Sequence, residues 1–265
     1  MDFLGIKDKW FLISGVANKK SVAYFSAKTL IEAGAQCLFS VQKEEQIPTL
    51  HKLFPDAPVI ILDVENKNHI ASIKDEVIKY TQKLDGFLHS LAFANFSEGL
   101  VPFHETKRED FLQAAQISCF SFVEITNALK SIFSSDASLV TISISNTKAT
   151  SYGYLGPIKA MLDATVPYLA KSLSLDSKIR VNAVGAGPLK TSASAGIPDY
   201  INNYLFAEAL TLRKEALATQ EVANTVAYLL SPKSSGINAS TLLVDAGMSC
   251  NYFDQEVVQK FNQDN

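Results

Sequence analysis

The sequence predicts a Rossmann-like, doubly wound α/β fold: a mostly parallel sheet of about seven strands with helices on both faces. Three observations lead there. Short apolar runs alternate with longer stretches of helical periodicity along the whole chain. The apolar runs are continuous rather than alternating, which demands burial on both faces of the sheet and so parallel strands joined by helices. No linker, internal repeat or low-complexity stretch interrupts the pattern, so residues 1–265 read as a single domain.

Taken in order, WFLISG (10–15) is the first buried strand, and SVAYFSAKTLIEAG (21–34) is a helix that Ser21 caps and Gly34 ends. QCLFSV (36–41) is the second strand, followed by a polar helix around 43–54. APVIILDV (57–64) is the third strand, 67–83 a helix, DGFLHSLAF (85–93) the fourth strand and 107–133 a long helix. ASLVTISIS (137–145) is the fifth strand, with a helix over roughly 157–176 and IRVNAVGAG (179–187) as the sixth. A loop and a helical region lead to the helix EVANTVAYLLS (221–231) and the last strand, STLLVDAG (240–247). The polar tail FDQEVVQKFNQDN reads as a frayed end or a partner contact.

Composition narrows the function. Hydrophobic residues at 47% and charged residues at 19% fit a soluble globular protein, and a net charge of −3 leaves no broad basic surface for nucleic acid. No apolar run approaches the ~20 residues a membrane helix needs. Cys37, Cys119 and Cys250 lie far apart with no metal-binding spacing, and read as buried free thiols of a reducing compartment. MDFLGIKDKW is too short and too charged for a signal peptide, so a cytoplasmic location is expected.

Ligands of a doubly wound sheet bind beyond the carboxyl ends of its strands. The first such end runs into GVANKKSVAY (15–24), where Gly15 permits a tight turn. There Ser21 and the nearby N–H groups face a potential anion. Another end runs into SYGYLGPIKA (151–160), with Tyr152 seven and Tyr154 five positions before Lys159. The position four before the lysine is Leu155. A phenol beside an ammonium suits stabilisation of a developing oxyanion. Pro157 belongs only in a first turn, so this helix is expected to begin at 156–157, and Pro167 puts a second proline further along it. His89, inside the fourth strand, reads as a buried, hydrogen-bonded histidine.

These two segments resemble the cofactor loop and the active-site segment of the bacterial NADH-dependent enoyl-acyl-carrier-protein reductases, which are atypical short-chain dehydrogenases. The likeness continues in family order through FSVQ (39–42), LDV (62–64), HSLAFA (89–94), AGPLKT (186–191), SAGI (194–197), SSGI (234–237) and VDAG (244–247). The resemblance implies NADH as cofactor, reduction of the carbon–carbon double bond of trans-2-enoyl thioesters in fatty acid biosynthesis, a substrate on acyl carrier protein, and a homotetramer. It assigns Gly15, Ser21 and Val22 to the pyrophosphate, Gln42 to the adenosine ribose, and Asp63 and Val64 to the adenine. Ser90 and Leu91 would lie along the dinucleotide, with Leu189, Thr191 and Ala193 on the nicotinamide side. Gln42 is neutral where a 2′-phosphate would want cations, which favours NADH, although Lys43 stands beside it.

The family's substrate-facing tyrosine stands seven positions before the lysine, so the resemblance makes Tyr152 and Lys159 the catalytic pair, with Lys159 also holding the nicotinamide ribose. Tyr154 becomes a pocket wall. Ala94, Tyr152 and Tyr154 are the expected substrate contacts, and Phe93, Phe96, Tyr204 and Phe206 further candidates for the acyl chain. A lid is expected at about 191–210. Two departures stand out. The family's second tyrosine, at the end of the fifth strand, is replaced by Ile144, with Ser143 and Ser145 beside it, and Pro157 replaces an ordinary helix residue. The alternatives that keep the fold are a carbonyl reductase using Tyr154 or a strand serine, and a catalytically silent nucleotide-binding paralogue.

Overall fold

The computed structural model describes residues 2–263 apart from 192, 193, 195, 196, 198 and 199. Strands β1 (Trp10–Ser14), β2 (Gln36–Val41), β3 (Val59–Ile61), β4 (Leu84–His89), β5 (Phe133–Ile144), β6 (Arg180–Ala186) and β7 (Ser240–Val244) form one sheet. Its order is β3-β2-β1-β4-β5-β6-β7, and every neighbouring pair is parallel. The helices are α1 (Val22–Glu32), α2 (Ile47–His51), α3 (Lys67–Val77), α4 (Arg108–Ala115), α5 (Ser121–Leu129), α6 (Leu155–Leu173), α7 (Tyr200–Leu210), α8 (Thr219–Leu230) and α9 (Gln255–Gln263).

Successive strand residues face opposite sides of the sheet, which is why the apolar runs are unbroken. Phe11, Ile13, Phe39, Leu88, Val140 and Val184 lie under α1 and α8. Their neighbours Leu12, Leu38, Phe87, Leu139 and Val181 lie under α3, α5 and α6. Phe11, Phe39, Phe87 and Phe122 are fully buried, and each such side chain contributes roughly 1.5–3 kcal/mol of transfer free energy.

Differences from expectation have local causes. The polar helix of 43–54 shrinks to a 3₁₀ turn at Glu44–Gln46 and the five-residue α2. The fourth strand stops at His89 rather than 93: the Ser90 N–H still reaches Ser14 O of β1, but further on the N–H groups of Phe93 and Asn95 bond to side chains instead of to a neighbouring strand. The long helix is continuous over α4 and α5 but contains a π turn, Gln116–Phe120. It ends at Leu129, and β5 begins earlier than expected, at Phe133. α6 begins at Leu155, two residues before Pro157, so the proline falls in the first turn where its missing N–H leaves no bond unmade. The helix then continues through Pro167 to Leu173. Cys37 and Cys119 are buried free thiols, but Cys250 is exposed in the turn that follows β7, a correction to the reading of all three as buried.

One buried charge braces the amino end of β6. Arg180 donates from Nη1 to Ser234 O, Ser234 Oγ and Ile237 O, and from Nη2 to Leu229 O and Ser231 O, all at 2.9–3.1 Å. These acceptors are carbonyls and a hydroxyl, with no carboxylate among them.

Candidate active site

The sheet changes winding direction between β1 and β4, and a crevice opens at their carboxyl ends. Gly15 leaves β1 with φ +97°, and a Cβ there would sit 2.1 Å from Ser90 O. Any side chain would therefore force the exits of β1 and β4 apart. Ser90 is tied to β1 by its N–H, which donates to Ser14 O at 3.2 Å. Ser21 caps α1, accepting from the Tyr24 N–H at 3.3 Å while donating to Asn18 O at 2.8 Å. The first-turn N–H groups of Val22 and Ala23 have no acceptor among the described residues. A tight glycine turn beneath a capped eleven-residue helix is a cradle that fits a dinucleotide pyrophosphate.

The other residues expected on the cofactor side follow strands of the same edge. Gln42 is exposed immediately after β2. Asp63 makes a local turn, its Oδ1 accepting from the Glu65 N–H at 3.0 Å, while its own N–H donates to His69 Nδ1 at 3.1 Å. Val64 is buried, and Leu91 packs on the α3/α5/α6 side of the core.

Lys159, one turn into α6, is buried and donates from Nζ to the carbonyl of Ile142 at 2.8 Å. Burial pushes its ammonium down to about 8, against the opposing pull of Asp163 and Cys119. Asp163 lies one turn further on and accepts from Thr241 Oγ1 at 3.2 Å, while burial raises its carboxyl. Beneath them His89 is fully buried, with Nε2 2.8 Å from Ser121 Oγ and Nδ1 2.9 Å from Thr141 Oγ1. The two hydroxyls also have main-chain acceptors, Ile117 O at 2.7 Å for Ser121 and His89 O at 3.2 Å for Thr141, so both ring nitrogens are engaged within the protein. Burial and the Lys159 charge push the imidazole down to about 3, so it stays neutral. This histidine is structural.

The two tyrosines part at Gly153, whose φ of 59° and ψ of −150° belong to a region open essentially to glycine alone. Tyr152 ends a 3₁₀ turn, and burial together with the nearby Tyr200 phenol raises its pKa, keeping the hydroxyl a proton donor. Tyr154 turns to the other side, where its Oη accepts from the Asn95 N–H at 2.7 Å and donates to Asn95 O at 3.1 Å. Its proton is therefore already committed to the main chain. Ile144 closes β5 half-buried. The Ser143 hydroxyl is buried without a hydrogen bond of ordinary length, and the Ser145 N–H is bonded to Ala186 O at 2.8 Å.

After β6, Leu189 is buried and Thr191 is tied to Ser194. Ser194 Oγ donates to Leu189 O at 2.8 Å, and the Leu189 N–H donates to Tyr200 Oη at 2.9 Å. Ala193 lies outside the described residues. Tyr204 is buried, with Lys190 Nζ 4.4 Å from its ring centroid. Ala94 and Phe96 are half-buried, while Phe93 and Phe206 are exposed. Sequence reasoning passed over Tyr200, Ser118 and Asn95. The aromatic residues of 191–210 carried the only hint, and only for Tyr200.

Similarity to known proteins agrees with this geometry. The family described as Enoyl-(Acyl carrier protein) reductase matches residues 15–249. "Enoyl-[acyl-carrier-protein] reductase [NADPH] FabI" of Staphylococcus aureus (strain MRSA252) is 34% identical over 251 residues, covering 92% of this chain and 98% of that protein. The corresponding [NADH] enzyme of Enterococcus faecalis is 32% identical over 246 residues, covering 92% and 98%. The crystal structure of FabI from Candidatus Liberibacter asiaticus superposes with a TM-score of 0.87 at 30% identity, covering 92% of this chain and 96% of that one.

Proposed function

The chain belongs to the enoyl-(acyl carrier protein) reductase family, and from that premise we propose that it reduces the carbon–carbon double bond of trans-2-enoyl thioesters on acyl carrier protein, using NADH, in fatty acid biosynthesis. The single observation that carries the reading at the level of the site is the pairing of a Gly15/Ser21 cradle with Tyr152 and Lys159 at the family spacing.

When bound, NADH supplies the hydride that adds to the β-carbon of the enoyl thioester. Gly15 and the first turn of α1 hold the pyrophosphate, and Val64 and Leu91 shape the apolar walls along the dinucleotide. Lys159 anchors the nicotinamide ribose, and its charge favours negative character on nearby oxygens. Tyr152 donates a hydrogen bond to the thioester carbonyl oxygen as charge develops there, and its raised pKa keeps that proton in place. Gln42 gives a 2′-phosphate no cation, and Glu44 and Glu45 follow closely, outnumbering Lys43. That local charge supports NADH over NADPH.

The homotetramer is supported by large apolar side chains left in solvent on the helices of one face. Leu112, Phe120 and Tyr168 are 59%, 52% and 79% exposed. No helix among the described residues is long and apolar enough to cross a membrane, and we assign the protein to the cytoplasm.

The test is oxidation of NADH and NADPH, followed by absorbance, with enoyl thioesters of several chain lengths. Turnover with NADH is expected. NADH binding without turnover of any enoyl thioester would overturn the reductase reading in favour of a silent paralogue.

A further inference from the structure

The segment leaving β4 is gripped by two hydroxyls from different helices. Ser118 Oγ accepts from the Phe93 N–H at 2.9 Å and donates to Phe93 O at 3.2 Å. Tyr154 Oη treats Asn95 in the same way, at 2.7 and 3.1 Å. A hydroxyl has one proton and two lone pairs, so each can satisfy both main-chain groups of one residue. The residues held are two apart. Ala94 stands between them, and no described residue makes a hydrogen bond to its N–H or carbonyl.

Both grips depend on irregular backbone. Ser118 lies in the π turn, which inserts an extra residue into the long helix and brings a fully buried serine against Phe93. Tyr154 follows Gly153, whose conformation separates it from Tyr152. The Tyr154 ring is buried between Phe96 and Phe111, at centroid distances of 5.5 and 6.4 Å. Asn95 is held further by its own amide, which donates to Asp110 Oδ1 at 3.0 Å and accepts from the Ser97 N–H at 3.1 Å. Every polar group of Asn95 is therefore occupied, while the neighbouring main chain of Ala94 is not.

We propose that Tyr154 and Ser118 are positioning residues: they fix residues 93–95 so that the uncommitted main chain of Ala94 faces the acyl thioester, and they set affinity for that substrate without entering the chemistry. This rests on the reductase reading and deepens it. It also gives the second tyrosine of SYGYLGPIKA a role distinct from proton donation.

Tyr154→Phe keeps the buried ring and removes only the grip, and Ser118→Ala removes the other. In the full-length protein, initial rates with varied crotonyl thioester and varied NADH should show KM for the thioester raised about fivefold in Tyr154→Phe, the scale of one lost hydrogen bond. kcat should stay within about twofold and KM for NADH should not move; Ser118→Ala should shift KM in the same direction. Amide hydrogen exchange provides a readout independent of turnover: Asn95 should exchange faster in Tyr154→Phe, and Phe93 in Ser118→Ala. Unchanged exchange would show that the grips do not exist. Faster exchange with an unchanged thioester KM would show a merely structural role, and a large fall in kcat at constant KM would put Tyr154 in the chemistry; each overturns the proposal while leaving the reductase reading intact. A wild-type protein inactive toward every enoyl thioester would instead overturn the reading and the positioning role together.

Discussion

Two helices start at the carboxyl edge of the sheet, and they start in opposite ways. α1 has a serine cap and, ahead of it, a glycine turn pressed against Ser90, and the first-turn N–H groups of Val22 and Ala23 have no acceptor among the described residues. α6 has no side-chain cap; its first turn carries Pro157, and what it offers is side chains, Tyr152 just before it and Lys159 within it. A main-chain cradle can bind but has no proton to give, whereas a phenol and an ammonium can do both. On the proposed function, the contrast divides the crevice into a holding end and a reacting end.

The largest effect expected from breaking this division is at the reacting end. Tyr152→Phe should lower kcat about 100- to 1,000-fold, the usual consequence of removing one oxyanion donor, while NADH binding followed by fluorescence persists. Equal losses in both would show that the two ends are not separable. Next comes the pH profile. The Lys159 ammonium titrates at about 8, and its charged form lies below that value, so kcat/KM should be level on the acid side and fall about tenfold per pH unit above it. A profile flat through pH 9 would remove Lys159 from the mechanism. Smaller still is Gly153→Ala, which forces a non-glycine residue into its backbone region at a cost of about 1–3 kcal/mol. That should lower the melting temperature by about 2–10 °C in calorimetry. The smallest effect belongs to the holding end: Ser21→Ala removes a cap worth about 1 kcal/mol, and should raise the Kd for NADH about fivefold in titration calorimetry.

What was legible in the sequence follows the same division. The inner strands were readable because burial on both faces writes itself as unbroken apolar runs, and the edge strands β3 and β7 kept apolar runs although part of each is exposed; the glycine turn and the serine cap were readable because they act within a few residues. The spacing of Tyr152 and Lys159 was equally local. Strand ends were less legible: β4 stops where Ser118 and Tyr154 take over its hydrogen bonds, and those residues lie 25 and 59 positions from their partners. The approach of Tyr200 to Tyr152 joins residues 48 positions apart, and the π turn that aims Ser118 leaves no signature in residue types. Pro157, conspicuous in the sequence, fits its helix without a break, because the helix begins at Leu155, one to two residues before the expected start at 156–157.

The cage around Arg180 has a consequence of another kind, for which changes the chain can absorb. A guanidinium spreads its donors in a flat fork, and here both terminal nitrogens reach carbonyls from the end of α8, from the turn after it and from the approach to β7. Lysine would bring the same charge but only three donors around a single atom, unable to span those acceptors. An exchange that is among the mildest on a protein surface would here leave carbonyls unpaired at the seam joining β6 to the last strand. Genetic drift and protein engineering alike should therefore find this position closed to other cations, although it lies at the amino end of its strand, away from the chemistry.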